Sequence, residues 1–106
     1  MSIIIFKNCI GFDWDDNNQN KNLVKHGVNN WECEQFFLNE PIVYEDITHS
    51  SLEKRFKALG ITDSNKCLFI AFTVREDLIR VISARSMNKK ERKEYEKAKE
   101  RDKANS

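Results

Sequence analysis

Apolar and polar positions change their period along this chain, and the changes mark its elements. Ile10-Gly11-Phe12-Asp13-Trp14-Asp15 alternates residue by residue, as a short strand does. Asp15 or Asp16 then suits the cap of a helix running to His26, and Gly27 suits the left-handed position just past its end. Asn29-Asn30-Trp31-Glu32 has the form of a capping box, with Asn29 as cap and Glu32 three residues on. The helix it opens carries Cys33, Phe36 and Phe37 on one face, and Pro41 stops it.

Beyond Pro41 the pattern turns to strands. Ile42 to Glu45 is one, and the polar run 46–52 reads as a loop. Residues 54–61, 67–74 and 78–85 form three more strands, broken by the turn Thr62-Asp63-Ser64-Asn65 and the tight connection Arg75-Glu76-Asp77. The middle run, CLFIAFTV, is apolar on both faces and belongs at the sheet centre. Connections this short predict antiparallel pairing. Asn88-Lys89-Lys90-Glu91 repeats the capping-box form and opens a helix to about Arg101 with a thin apolar stripe of Met87, Tyr95 and Ala98. The predicted fold class is therefore α+β: an antiparallel β-sheet meander with two N-terminal helices and a C-terminal helix. The expected division is an N-terminal extension or edge strand over 1–10, one folded domain over 11–102, and a frayed tail over 103–106.

Composition narrows the setting. The length allows a single core. No apolar run reaches about 18 residues, so no transmembrane helix is expected, and the start lacks the basic leader and cleavage site of a signal peptide. Cys9, Cys33 and Cys67 are odd in number, widely spaced and free of a CxxC pair, so neither a disulfide framework nor a zinc site is expected. Such cysteines read as small buried hydrophobes in a reducing cytoplasm. The net charge of +1 conceals an asymmetry: residues 1–53 hold nine acids and three bases, and the rest hold fifteen bases and eight acids. A half carrying +7 can present a cationic face to a polyanion, or it can fold into a neutral mosaic.

The candidate chemistry lies in arginines within and beside strands. A Gly-rich phosphate loop, HExxH and GxSxG are all lacking in the sequence. Arg55, Arg75, Arg80 and Arg85 surround one small sheet, and buried guanidinium groups require carboxylate partners or an anionic ligand. They match phosphate oxygens bidentately and keep their proton near neutral pH. Ordinary salt bridging to Glu53, Glu76, Asp77 or Glu91 is the competing account. Strand parity puts Arg80 and Arg85 on opposite faces of 78–85, and they share a site only if the strand ends or bulges between them. Lys25 and His26, at a predicted helix C-terminus, act either as end caps or as a phosphate contact and a proton carrier. His49-Ser50 reads as part of a solvated loop. No His or Cys spacing suggests a metal, and no cofactor is expected.

Several segments, taken in order, resemble the BrnT toxins: Phe12-Asp13-Trp14-Asp15; Asn22-Leu23-Val24-Lys25-His26-Gly27-Val28; Glu40-Pro41; Asp46 with His49-Ser50; Glu53-Lys54-Arg55-Phe56; Thr73-Val74-Arg75; Ile79 to Arg85; and Glu91 to Glu96. The resemblance spans about residues 11 to 96. It implies a RelE-like fold, metal-independent cleavage of RNA that inhibits translation and growth, a cytoplasmic setting, and a DNA-binding BrnA-like antitoxin in a 2:2 complex. A catalytically inactive RNA- or protein-binding module on the same fold is the alternative. Under this resemblance the catalytic set is expected among Lys25, His26, Glu53, Arg55, Arg80 and Arg85, with Arg75 and Tyr95 binding substrate. Glu53 or His26 would be the base, and Tyr95 or His26 the acid. RelE-type enzymes lack a clean acid–base pair, which shifts the weight to the arginines.

Overall fold

The computed structural model describes residues 11–14, 25–49 and 53–105, with side chains described as far as Arg101. The elements are β1 (Gly11–Phe12), α1 (Asn30–Leu38), β2 (Ile42–Glu45), a single 3-10 turn (Ile47–His49), β3 (Arg55–Ile61), β4 (Cys67–Arg75), β5 (Leu78–Ser86) and α2 (Lys89–Asn105). They build a five-stranded sheet in the order β1-β5-β4-β3-β2. The α+β class and the antiparallel run from β3 to β5 match the expectation, and β2 joins β3 antiparallel as well.

The sheet as a whole is mixed, which corrects the purely antiparallel prediction. β1 runs parallel to β5, with Gly11 opposite Leu78 and Phe12 opposite Ile79. Short turns dictate antiparallel pairing only for the strands they join. No such turn links β1 to β5, so its direction is set by docking at the open sheet edge. Of the two expected N-terminal helices, the described residues contain one complete, α1. The helix expected to end at His26 lies outside them except for Lys25 and His26, which are helical, and Gly27 after them takes φ of 70°. The 46–52 loop contains the 3-10 turn at Ile47–His49. α2 runs to Asn105, past the expected end near 101, because no glycine or proline interrupts its helix-forming residues.

The two helices lie against opposite faces. α1 lays Cys33, Phe36 and Phe37 on a core of Ala58, Leu68, Ile70, Phe72, Ile79, Val81 and Ala84. Phe37 meets Phe72 edge-on at 4.9 Å and Phe12 at 5.6 Å, and each fully buried aromatic of this kind contributes about 1.5–3 kcal/mol. Gly60 is required here: a Cβ on it would stand 2.9 Å from both Phe36 and Pro41. Burial pushes the Cys33 thiol up to about 12, so it is an inert core residue. At the start of α1, the buried Glu32 accepts the backbone N–H of Asn29 at 2.9 Å and pairs with Lys66 at 3.0 Å. Burial alone would raise its carboxyl, but these donors outweigh that and hold it below the ordinary value. α2 crosses the other face at one end only. Its cap is a reciprocal box between Asn88 and Glu91, with bonds of 2.8 and 2.9 Å.

The β4–β5 hairpin turns on Glu76 and Asp77, both left-handed at φ of 51° and 65°. Such two-residue turns favour Asn-Gly, because other residues meet a steric cost of about 1–2 kcal/mol each in this region. Replacing Glu76 by Asn and Asp77 by Gly together is expected to stabilise the fold by about 1 kcal/mol. Thermal denaturation would register this as a rise of about 4–8 °C in Tm.

Candidate active site

The strand register assigns the functional side chains to faces. Arg55 on β3 stands opposite Thr73 on β4, and Thr73 stands opposite Arg80 on β5. The three form a single row across the sheet. Phe72 and Val74, the neighbours of Thr73, pack towards the core, so the row lies on the face away from α1. The next row on this face is Tyr44, Lys57, Ala71 and Ser83. Beyond it come Ile42, Leu59, Phe69 and Arg85, where α2 covers the sheet. Among the described residues, no helix lies over the end that holds Arg55, Thr73 and Arg80.

Arg85 shares this face with Arg80 because β5 bulges. Ala71 faces Ser83 but Phe72 faces Val81, so Ile82 is one extra residue on β5. The condition set by strand parity is thus met, although Arg85 stands two rows from Arg80. It is engaged there: its guanidinium makes a bidentate pair with Glu91 at 2.8 and 2.9 Å and lies 4.2 Å over the ring of Phe69.

Around the row the charges are matched. Arg75 donates to both oxygens of Glu53, at 2.6 and 3.1 Å, and Arg80 contacts Asp13 at 3.4 Å. The hydrogen bond from Arg75 holds the Glu53 carboxyl below the ordinary value, and the charges of Arg80 and Arg55 add to the effect. On the other side, Asp46 accepts from His49 Nδ1 at 2.8 Å and lies 3.9 Å from Lys57 Nζ. Burial would raise the Asp46 carboxyl, but the His49 hydrogen bond and the charges of His49 and Lys57 prevail and lower it. The Asp46 backbone N–H is bound to the carbonyl of Arg55 at 2.7 Å, which fixes this pair beside the row. The His49 side chain is 57% exposed.

Of the residues singled out from sequence, Glu53, Arg55, Arg75 and Arg80 come together at this end. Lys25, His26 and Tyr95 do not. Lys25 and His26 precede Gly27, whose carbonyl accepts from Lys66 just before β4, seven residues along the strand from Thr73. Tyr95 lies near Cys67, at that same far end, and burial there raises its hydroxyl. Sequence reasoning missed Lys57 and Thr73 and read His49 as a loop residue. Lys57 was recoverable, since two residues from Arg55 on a strand means the same face. The spacing of Asp46 and His49 was a signal too, since a short helical turn brings residues three apart together. Among the described residues no group of three or more His, Cys, Asp or Glu is placed to hold a metal ion. No described helix is long and apolar enough to cross a membrane.

The described face of this small α+β protein thus arrays guanidinium and ammonium groups, whose donors match anionic oxygens, among carboxylates. The chain belongs to the family described as the ribonuclease toxin BrnT of type II toxin-antitoxin systems, which matches residues 14–91. A comparison with curated proteins gave no match.

Proposed function

We propose that this chain is a metal-independent endoribonuclease whose active site is the Arg55–Thr73–Arg80 end of the sheet, with Lys57, Arg75, Glu53 and the Asp46–His49 pair around it. The observation that carries the reading is the three-strand row of two arginines about a hydroxyl, with a carboxylate-bound histidine fixed beside it. RNA cleavage without a metal requires attack of a 2′-hydroxyl on the adjacent phosphorus and departure of the 5′-oxygen. The O2′–P bond forms, the P–O5′ bond breaks, and the products are a 2′,3′-cyclic phosphate and a 5′-hydroxyl. Arg55, Arg80 and Lys57 stabilise the charge that grows on the phosphate oxygens.

His49 takes the 2′-hydroxyl proton, and the departing 5′-oxygen takes a proton from solvent water to leave as the 5′-hydroxyl. Asp46 is ionised, so Nδ1 carries the proton of their contact and Nε2 is left to act as base. Glu53 is a weaker choice of base, because a carboxyl lowered by Arg75 has little proton affinity. It orients Arg75 instead. Lys25, His26 and Tyr95 take no part in the chemical step, given their place at the opposite end of β4.

The function carries with it a BrnA-like antitoxin that covers this face in a 2:2 assembly, since a symmetric pair suits a palindromic operator. Ile47, 82% exposed in the turn between Asp46 and His49, offers an apolar anchor beside the charged site. Phe36 and Phe37 bury in the core, whereas Trp31 is 58% exposed. The test uses purified chain without antitoxin, incubated with RNA in excess chelator. Cleavage is expected, with cyclic phosphate ends, and His49→Ala is expected to slow it by about 10²–10⁴-fold. Intact RNA, or cleavage that needs added magnesium, would remove the metal-independent mechanism. Undiminished cleavage by His49→Ala would remove His49 from it.

A further inference from the structure

Thr73 has no part in the sequence-level arginine argument, yet it occupies the middle of the row. It is 3% exposed. Among the described residues its Oγ1 is the one buried side-chain oxygen or nitrogen with no hydrogen-bond partner. Buried polar groups are nearly always bonded, and leaving one unbonded costs stability. A threonine kept for its strand-forming methyl alone could be a valine, which fills the same space without that cost.

The surroundings say what the hydroxyl awaits. Directly opposite Thr73 on either side are Arg55 and Arg80, and adjacent strands lie about 4.8 Å apart, so the two arginine Cα atoms are roughly 10 Å apart with Thr73 between them. Whatever other contacts these arginines make, an anion drawn to both guanidinium groups comes to rest above the threonine. There the hydroxyl donates its proton to an oxygen that neither arginine fully satisfies. A neutral donor between two cations adds a hydrogen bond without adding charge, which favours a monoanionic oxygen such as that of a phosphodiester.

We propose that the Thr73 hydroxyl is a phosphate-binding group, donating to a non-bridging oxygen of the RNA phosphodiester held between Arg55 and Arg80. This rests on the ribonuclease reading above for the identity of the anion. The function needs only that hydroxyl, and the fold would be better without it, so stability and binding should move in different directions on its removal.

The experiment compares Thr73→Val, Thr73→Ala and Thr73→Ser with the unaltered chain. Each is measured for Tm, for affinity to a short 2′-deoxy oligonucleotide that cannot be cleaved, and for cleavage of RNA. Thr73→Val is expected to keep or raise Tm while weakening oligonucleotide binding and cleavage about tenfold, the effect of one lost bond to a charged group. Thr73→Ala should lose the same binding, and Thr73→Ser, differing from it by the hydroxyl alone, should restore it. That pair keeps the test decisive if valine does not fit. Equal binding by the Ala and Ser variants overturns the proposal, as does unchanged binding by a stable Thr73→Val. Should the unaltered chain bind the oligonucleotide but cleave no RNA, the enzyme reading fails, and the same Ala–Ser comparison still decides the role of Thr73.

Discussion

Arg80→Ala is expected to lower RNA cleavage by about 10²–10³-fold while leaving the fold in place. A guanidinium aimed at charge that develops in the transition state is worth about 2.7–4 kcal/mol if it acts as an oxyanion donor does. Its contact with Asp13 is the opposing consideration. At 3.4 Å, between side chains 30% and 35% exposed, that pair is worth under about 1 kcal/mol. The functional loss should therefore exceed the structural one several times over. Kinetics beside a thermal melt separates them, and Arg80→Lys sharpens the result: it keeps the charge but lacks the fork, so it should recover only part of the rate. A melt that falls in step with the rate would recast Arg80 as a structural residue.

Arg85→Ala should do the reverse. Its guanidinium grips Glu91 with two short bonds, and Glu91 also caps α2 through the Asn88 backbone. Removing the arginine strands a largely buried carboxylate at the joint between β5 and α2. Hydrogen bonds to charged groups are worth about 1.5–3 kcal/mol, and about a third of Arg85 is exposed, so a loss near 2 kcal/mol is expected, roughly 8 °C or more in Tm. The stacking over Phe69 adds to it. Cleavage by the folded fraction should survive. The effect is also pH-dependent. Burial would raise Glu91, but Arg85 and Asn88 hold it below the ordinary 4.5, so its contribution is present above that pH and is lost as pH falls below it. The gap in Tm between the two proteins should therefore close in acid.

The contrast between these two arginines shows what a sequence can and cannot disclose. Arg80 and Arg85 look alike in the run Ile79 to Arg85, and both lie near acids. What separates them is distance from α2, which no spacing rule encodes. The meander was legible because its turns are short and its strands alternate, and α1 was legible because Asn29 and Glu32 announce its start. β1 pairs at long range and in parallel, so nothing local records its partner. Thr73 was invisible for a related reason. Its meaning comes from lying opposite Arg55 and Arg80, 18 and seven residues away in sequence, and register across three strands is a property of the assembled sheet. Lys25 and His26 drew notice as a charged pair near a helix end, but chain proximity to charge is no guide to which end of a sheet a helix meets.

The extra residue at Ile82 bears on how this protein tolerates insertion and deletion. Loss of Ile82 would hardly shorten β5: it would make the pairing with β4 regular and leave the facing of everything that follows as it is, because the bulge already absorbs that one residue. Ala84 would stay against the core opposite Ile70, and Arg85 would stay opposite Phe69 on the face where it meets Glu91. A one-codon deletion at this point is thus a milder lesion than one elsewhere in β5, where no spare residue absorbs it, and aligned relatives are expected to vary in length at this position while holding the counterparts of Ala84 and Arg85 to their faces.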